Sequence, residues 1–286
     1  MLIEGTTWVV IGARGMLGQD LCARAQARGA VVVALDQDDA DIRRAGSVAA
    51  AVPACDVVVN CAAYTAVDQA EQDEARAFAV NAVGAGNAAA VAKARHARFV
   101  QVSTDYVFAG NAPVAYPEDA ARAPLSAYGR TKAAGEEAVE SSGADSLIVR
   151  TAWLYGAHGP CFPKTIAKAG KERGALQVVD DQIGQPTWTC DLAEFIIDLV
   201  EADVPSGIYH GTSGGQASWF DFAREVVAAA GLGDIVTAID SSSHVRPAPR
   251  PPWSVLGHDA ARRFGVKTIG NWRDRWREAA PAVLGA

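Results

Sequence analysis

Short runs of uninterrupted apolar residues punctuate the chain at Trp8–Ile11, Val31–Leu35, Val57–Asn60, Phe99–Val102 and Leu147–Val149, with helix-length stretches between them. A strand with one face in water alternates apolar and polar residues. These runs do not, so both of their faces must be covered. That requirement predicts a parallel sheet with helices on both sides, a Rossmann-type, doubly wound α/β fold. Ala75–His96, rich in alanine, predicts a long helix with small residues on its packing face, and Tyr128–Glu140 predicts a second. Beyond Arg150 the rhythm loosens and Pro, Gly and Trp become frequent, at Gly156–Pro163, Gln182–Thr187 and Arg246–Trp253. This part reads as a smaller C-terminal substrate-binding lobe, from which Asp191–Glu201 and Gly207–His210 return to the sheet as helix and strand. Arg246–Trp253 is expected to be an ordered loop.

With 286 residues, half of them apolar, the chain can bury a large core. Its net charge of −7, from 33 acidic and 26 basic residues, contains no basic run that could track a phosphate backbone, so nucleic acid is not an expected partner. Five cysteines, with no C-x-x-C pair, argue against a disulfide framework or a zinc site and fit a reducing cytoplasm. No basic n-region leads into an apolar stretch with a cleavage site, and no apolar run approaches the ~20 residues that span a bilayer. A membrane location is not expected.

The segment Val9–Gly18 is a strand, the pattern G-x-x-G-x-x-G and the start of a helix. Gly12 permits the tight turn, Gly15 lets a pyrophosphate approach the N–H groups of the helix start, and Gly18 allows close helix–strand packing. Asp36 ends the second strand, where a carboxylate can accept ribose hydroxyls, a position that favours NADH. Arg14, inside the loop, can answer the 2′-phosphate of NADPH or stand as a solvated arginine, so NADPH or NADH is expected with the choice open. Asp41-Ile42 can approach the adenine, or Asp41 can cap a helix. Residues 1–152 are thus expected to form the dinucleotide-binding domain, with 188–212 returning to it. The substrate lobe comprises 153–187 and 213–286.

Ser103-Thr104 follow the strand at Phe99, and Tyr128-Gly129-Arg130-Thr131-Lys132 opens a helix downstream. Tyr128 and Lys132, four apart, share a helical face. Reduction of a carbonyl needs a proton donor at the oxygen that gains charge as hydride reaches carbon. A tyrosine keeps its proton until pH ~10, so a neighbouring ammonium is expected to lower its pKa. Lys132 supplies that charge and can hydrogen-bond the nicotinamide ribose, while the Thr104 hydroxyl supports the developing oxyanion. Thr104, Tyr128 and Lys132 are the expected catalytic set.

Further stretches carry a resemblance: Asn60–Asp68, Val102–Phe108, Tyr128–Glu136, Arg150–Gly156, Val179–Thr187 and Arg246–Pro251. The glycine loop and the Tyr/Lys pair resemble the extended short-chain dehydrogenase/reductases. Ser-Thr-Asp-Tyr-Val-Phe, Asp-Gln-x-Gly-x-Pro-Thr and the late Arg-Pro-x-x-Arg-Pro narrow it to the dTDP-4-dehydrorhamnose reductase family. The resemblance implies NAD(P)H-dependent reduction of the 4-keto group of a dTDP-4-keto-6-deoxy sugar. It further implies that Thr104, Asp105 and Trp153 contact the sugar, that Tyr128 donates the proton, and that Ala62, Ala63 and Tyr64 flank the nicotinamide half of the cofactor. The full cofactor set is then Gly12, Arg14, Gly15, Met16, Leu17, Gly18, Asp36, Asp41, Ile42, Ala62, Ala63, Tyr64 and Val102, with Tyr128 and Lys132. Arg246 and Arg250 suit a diphosphate, since guanidinium groups bind phosphate oxygens in pairs, though either could be an ordinary salt-bridged surface residue. Gln182 and Thr187 help shape the same pocket.

Two departures from the family pattern matter. Cys161-Phe162 stands where relatives commonly have Asn-Phe, which removes or moves a polar substrate contact. Cys190 stands near where some members use an acidic residue to hold a metal at a dimer contact; with Asp20 alone as carboxylate no metal is expected, and a homodimer stays open. Among rivals, a dehydratase needs Asp-Glu beside its catalytic Thr, whereas here Tyr106 follows Asp105. An epimerase fits the late Arg-Pro segment less well. A 4-ketoreductase for another dTDP-deoxysugar stays open, as does an NADP-binding regulatory subunit resembling that of methionine adenosyltransferase.

Overall fold

In the computed structural model, which describes residues 2–112, 114–243 and 245–285, six strands form one all-parallel sheet. They are β1 (Thr7–Ile11), β2 (Val31–Leu35), β3 (Val57–Asn60), β4 (Arg98–Thr104), β5 (Ser146–Thr151) and a sixth strand, Gly207–His210. The spatial order is sixth, β5, β4, β3, β1, β2. From β1 the chain steps outward to β2 and then crosses to β3 on the other side, so a crevice opens beyond the carboxyl ends of β1 and β3, where such folds bind ligands. Register puts Ile11 beside both Leu35 and Asn60, and Thr104 beside Thr151. The loops beginning at Gly12, Asp36, Cys61, Asp105 and Ala152 therefore leave from one edge.

The expected strands appear with ends moved by at most two residues, because an uninterrupted apolar run is buried on both faces. On one face, Leu17 and Leu21 of α1 (Met16–Ala27) and Leu192, Phe195, Ile196 and Leu199 of the helix Thr189–Glu201 cover Trp8, Val10, Val57, Val59 and Val149. On the other, Val48, Ala85, Ala88, Ala89 and Val139 cover Val9, Ile11, Val58, Phe99 and Ile148. Each large side chain so buried contributes about 1.5–3 kcal/mol. A separate cluster holds Tyr155, Ile166, Val178, Phe222, Trp272 and Trp276 beneath the helices Phe162–Arg173, Trp219–Ala229 and Trp272–Leu284.

The stretch Ala75–His96 differs from the expected uniform helix. It is α-helical over Glu74–Phe78 and Gly84–Ala94, with a π turn at Ala79–Val83 between them. Asn81, in that turn, is buried; its Oδ1 accepts the Tyr64 N–H (2.8 Å), and its Nδ2 donates to the Tyr64 carbonyl (3.1 Å) and to Thr131 Oγ1 (3.0 Å). The widened turn aims one amide at three partners, and such turns recur at functional sites. The Arg246–Trp253 segment is an ordered loop, as expected. Ala248 is buried, the Trp253 N–H donates to the Gly110 carbonyl (3.0 Å), and the Ser254 N–H donates to the Ile183 carbonyl (2.8 Å). Among the described residues no helix is long and apolar enough to cross a membrane.

Candidate active site

Gly12 sits in the left-handed region at φ +80°, and a Cβ there would lie 2.6 Å from the Ala62 nitrogen. A Cβ on Gly18 would lie 2.2 Å from the Gly12 carbonyl oxygen, so α1 can pack this closely on the loop only without a side chain there. Gly15 ends the loop and precedes α1, whose first N–H groups receive no side-chain cap. Unsatisfied N–H groups at a helix start form an anion site, and the crevice beside them is lined by Gly12, Arg14, Gly15, Asp36, Asp41, Ile42, Ala62, Ala63 and Tyr64. These residues fit a dinucleotide. Leu17 has its side chain in the core, and Met16 packs towards the cluster around Phe222, so neither side chain lines this crevice.

Ser126 caps the helix Ala127–Ser142 by accepting the Gly129 N–H (3.1 Å), which fixes Tyr128 in the first turn. Thr104 ends β4. The Thr104 hydroxyl donates to Asp105 Oδ1 (2.9 Å), accepts the Tyr106 N–H (3.2 Å) and lies within hydrogen-bonding reach of the Tyr128 phenol. Tyr106 meets Tyr128 edge to face at 5.6 Å. Lys132 Nζ, buried, donates to the Val102 carbonyl (2.6 Å). The structure thus gathers Thr104, Tyr128, Lys132, Asp105 and Val102 at the end of β4.

The electrostatics differ from the expectation for Tyr128. Burial raises its phenol above the ordinary value and the Asp105 charge raises it further, against the pull of Thr104. Lys132 gives its hydrogen bond to Val102, and its own burial lowers its pKa to about 8, against the pull of Glu136 and Cys61. The phenol therefore holds its proton, which suits an acid. Burial pushes Asp105 up to about 6, against the hydroxyls of Ser254 and Thr104. Ser254 also faces the Ile183 carbonyl (3.4 Å), and Asp105 Oδ2 has no hydrogen-bond partner among the described residues.

Under this set lies Glu136, one helical turn beyond Lys132 and fully buried. It accepts bonds from Ser103 Oγ (2.5 Å), Arg150 Nε (2.9 Å) and Nη2 (2.7 Å), and Arg122 Nε (2.6 Å). Burial alone would raise its pKa, but Arg150, Ser103 and Arg122 bring it below the ordinary value. Sequence reasoning missed this residue, although its spacing from Lys132 places both on one face.

Trp153 takes φ +46°, rare for a bulky side chain, and stacks on Trp219 at 3.5 Å between ring centroids. Gly184 lies against it: a Cβ there would sit 2.5 Å from the Trp153 ring, which explains the glycine of Asp-Gln-x-Gly-x-Pro-Thr. In the same motif Gln185 is buried, with its Oε1 accepting Thr212 Oγ1 (2.9 Å) and the Leu256 N–H (2.8 Å), while Gln182 is half-buried beside Ile183. Thr187 is buried and donates to the Gln185 carbonyl (3.1 Å). Arg250 and Arg246 converge on Asp68, at 3.0 and 3.5 Å, and the Ala248 N–H donates to the same carboxylate (3.2 Å). Asp68 belongs to the Asn60–Asp68 stretch, but sequence gave it no role; Trp219 had no signal at all.

Cys161 is buried with its thiol facing the Gly156 carbonyl at 3.7 Å. Asp20 is buried, accepts the Thr189 hydroxyl and lies 3.5 Å from His158 Nε2. Burial raises the Cys190 thiol to about 11, and Asp20 adds to this.

Residues 6–284 match the family model described as the RmlD substrate binding domain. The dTDP-4-keto-6-deoxy-D-glucose reductase of Streptomyces niveus is 44% identical over 288 residues, 96% of this chain and 97% of that one. The dTDP-4-dehydrorhamnose reductase of Mycolicibacterium smegmatis is 42% identical over 281 residues, 97% of this chain and 86% of that one. Among solved structures, a dTDP-4-dehydrorhamnose reductase from Bacillus anthracis in complex with NADP superposes with a TM-score of 0.92 at 35% identity, covering 96% of this chain and 98% of that chain.

Proposed function

This chain belongs to the family of the RmlD substrate binding domain, and we propose that it reduces the 4-keto group of dTDP-4-dehydrorhamnose to give dTDP-L-rhamnose. It is an NAD(P)H-dependent oxidoreductase, and the bound nicotinamide supplies the hydride. The observation that carries the reading is the joined group Thr104, Asp105 and Tyr128 at the end of β4, on the sheet edge that also holds the glycine cradle.

Tyr128 gives its phenolic proton to the C4 oxygen as that oxygen gains charge: its O–H bond breaks and a new O–H forms on the sugar. Thr104 holds the keto oxygen in line, while Lys132, its ammonium held by the Val102 carbonyl, binds the nicotinamide ribose. Asp105, with an oxygen to spare, accepts a sugar hydroxyl, and Trp153, stacked on Trp219, borders the sugar. Gln182 shapes the pocket wall. Arg246 and Arg250 take the diphosphate in exchange for Asp68. In this assignment residues 1–152 and 188–212 bind the cofactor, and 153–187 and 213–286 bind the nucleotide sugar. The setting is the cytoplasm, where the five free cysteines stay reduced.

A second reading, reduction of another dTDP-4-keto sugar, is favoured by the likeness to the Streptomyces niveus enzyme. Incubation with reduced cofactor and a panel of dTDP-4-keto-6-deoxy sugars separates them. The first reading expects the highest kcat/KM for the L-lyxo-4-hexulose. A preference for the D-xylo isomer establishes the second, and no oxidation with any donor overturns both, leaving a regulatory subunit.

A further inference from the structure

Trp153, which borders the sugar in the proposed reaction, keeps a backbone conformation at φ +46° that a bulky side chain rarely adopts. Such a conformation persists only where the surroundings over-determine it. We propose that Trp219 supplies that constraint and is a positioning residue for the reduction, acting through the Trp153 indole on where the sugar sits. This assignment rests on the reductase reading and deepens it by naming what fixes the sugar subsite.

Three contacts box Trp153 in. Its carbonyl accepts the Thr187 N–H (3.2 Å), its indole packs on Gly184, where a Cβ would stand 2.5 Å from the ring, and its face stacks on Trp219 at 3.5 Å between centroids and 7° between planes. The last two share one origin. Ala217 pairs with Gly184 and Ser218 with Ile183 in a short antiparallel ladder, so the glycine against the ring and the tryptophan over its face arrive on paired strands. Trp219 then opens the helix Trp219–Ala229, whose start is fixed by reciprocal bonds between Ser218 and Asp221, at 3.1 and 3.0 Å. Strand register and helix cap together set the stack.

Behind Trp219 the contacts run into the core. The ring of Phe162 lies 4.5 Å from that of Trp219 and 5.6 Å from that of Phe222, which is fully buried in the C-terminal cluster. Trp153, Trp219 and Phe162 are each half-buried, so the row leads from the packed interior out to the site. With one face closed by Trp219, the indole of Trp153 cannot turn without breaking a stack that is worth more than its buried area alone. Removing Trp219 leaves Trp153 on a strained turn with nothing over that face. The turn then relaxes, and the indole leaves the sugar. A role confined to stability would instead lower the melting temperature without singling out the nucleotide sugar.

A double-mutant cycle in the full chain tests this, with steady-state rates on the dTDP-4-keto-6-deoxy sugar that the unaltered chain reduces best. Trp219→Ala should raise KM for that sugar about tenfold, the size of one aromatic pair, with a smaller fall in kcat and the cofactor Kd unmoved. Trp219→Phe should restore most of the loss. In a Trp153→Ala background, Trp219→Ala should add little, because its effect passes through the missing indole. Far-UV circular dichroism reads the geometry without any sugar: the stacked indoles give an exciton couplet, which either alanine substitution abolishes. Trp219→Leu, which keeps apolar bulk but not the stack, carries the same expectations should the alanine variant not fold. An unchanged KM in the folded variant, or full additivity with Trp153→Ala, overturns the role of Trp219 and leaves the reductase reading standing. Absence of the couplet from the unaltered chain also overturns it. No turnover of any dTDP-4-keto sugar by the unaltered chain overturns both together.

Discussion

Glu136 and Asp68 each gather two arginines, in opposite surroundings. Glu136 is fully buried beneath the proposed reaction centre with Arg150 and Arg122, and four bonds hold it within the sheet-and-helix framework. Asp68 is half-exposed, and Arg246, from the late loop, keeps 52% of its side chain in water. A buried pair that loses one partner leaves a stranded charge, whereas a solvated pair exchanges partners at little cost. The same chemistry thus makes a rigid floor under Lys132 and Thr104 and an exchangeable latch where the diphosphate is proposed to arrive.

Changes at the floor should be severe. Tyr128→Phe, which removes the proton-donating hydroxyl and keeps the ring, should lower kcat about 10²–10⁴-fold in steady-state assays while leaving the cofactor Kd little changed. Next, Glu136→Ala should destabilise the fold by about 3–5 kcal/mol in urea unfolding, by leaving Arg150 uncompensated in the core. Changes at the latch should act on substrate binding. Arg250→Ala should raise KM for the nucleotide sugar about 10-fold or more with a smaller change in kcat, by removing charge-assisted bonds. Asp68→Asn should have the least effect, about 1 kcal/mol or less on stability, as solvated pairs do. A loss there equal to that of Glu136→Ala would end the distinction between floor and latch.

pH separates the floor's activity from its stability. Asp105 ionises near pH 6 and Lys132 loses its charge near pH 8, so kcat/KM should rise through about 6 and fall above about 8. Asp105→Asn should remove the acid limb. For stability the sign at Lys132 is opposite: its pKa falls from 10.5 to about 8 on folding, so between those values the unfolded chain holds more protons. The folded state therefore gains stability from this lysine as pH rises through that window, while activity declines. Urea midpoints and initial rates over the same pH series should diverge.

The sheet was legible because runs such as Val57–Asn60, buried on both faces, have no reason to alternate. The Tyr128/Lys132 pair was legible because helix geometry converts a spacing of four into one face. What escaped depends on partners distant in sequence. Arg246 meets Asp68 across 178 residues, and Trp219 meets Trp153 from another helix, so neither pairing leaves a local pattern. The π turn at Asn81 was hidden for the same reason, since its cause is the Tyr64 backbone and Thr131. The effect of Lys132 on Tyr128 was misjudged because spacing does not reveal that the ammonium is turned to the Val102 carbonyl.

The most direct test of the central claim is hydride tracing. Reduced cofactor carrying deuterium at the transferable C4 position is incubated with the chain and dTDP-4-dehydrorhamnose, and the product is read by NMR. The account predicts deuterium at C4 of the 6-deoxy sugar, one per cofactor oxidised, and none with Tyr128→Phe over the same interval. Cofactor oxidation without label at that carbon, or full labelling by the Tyr128→Phe variant, would contradict it.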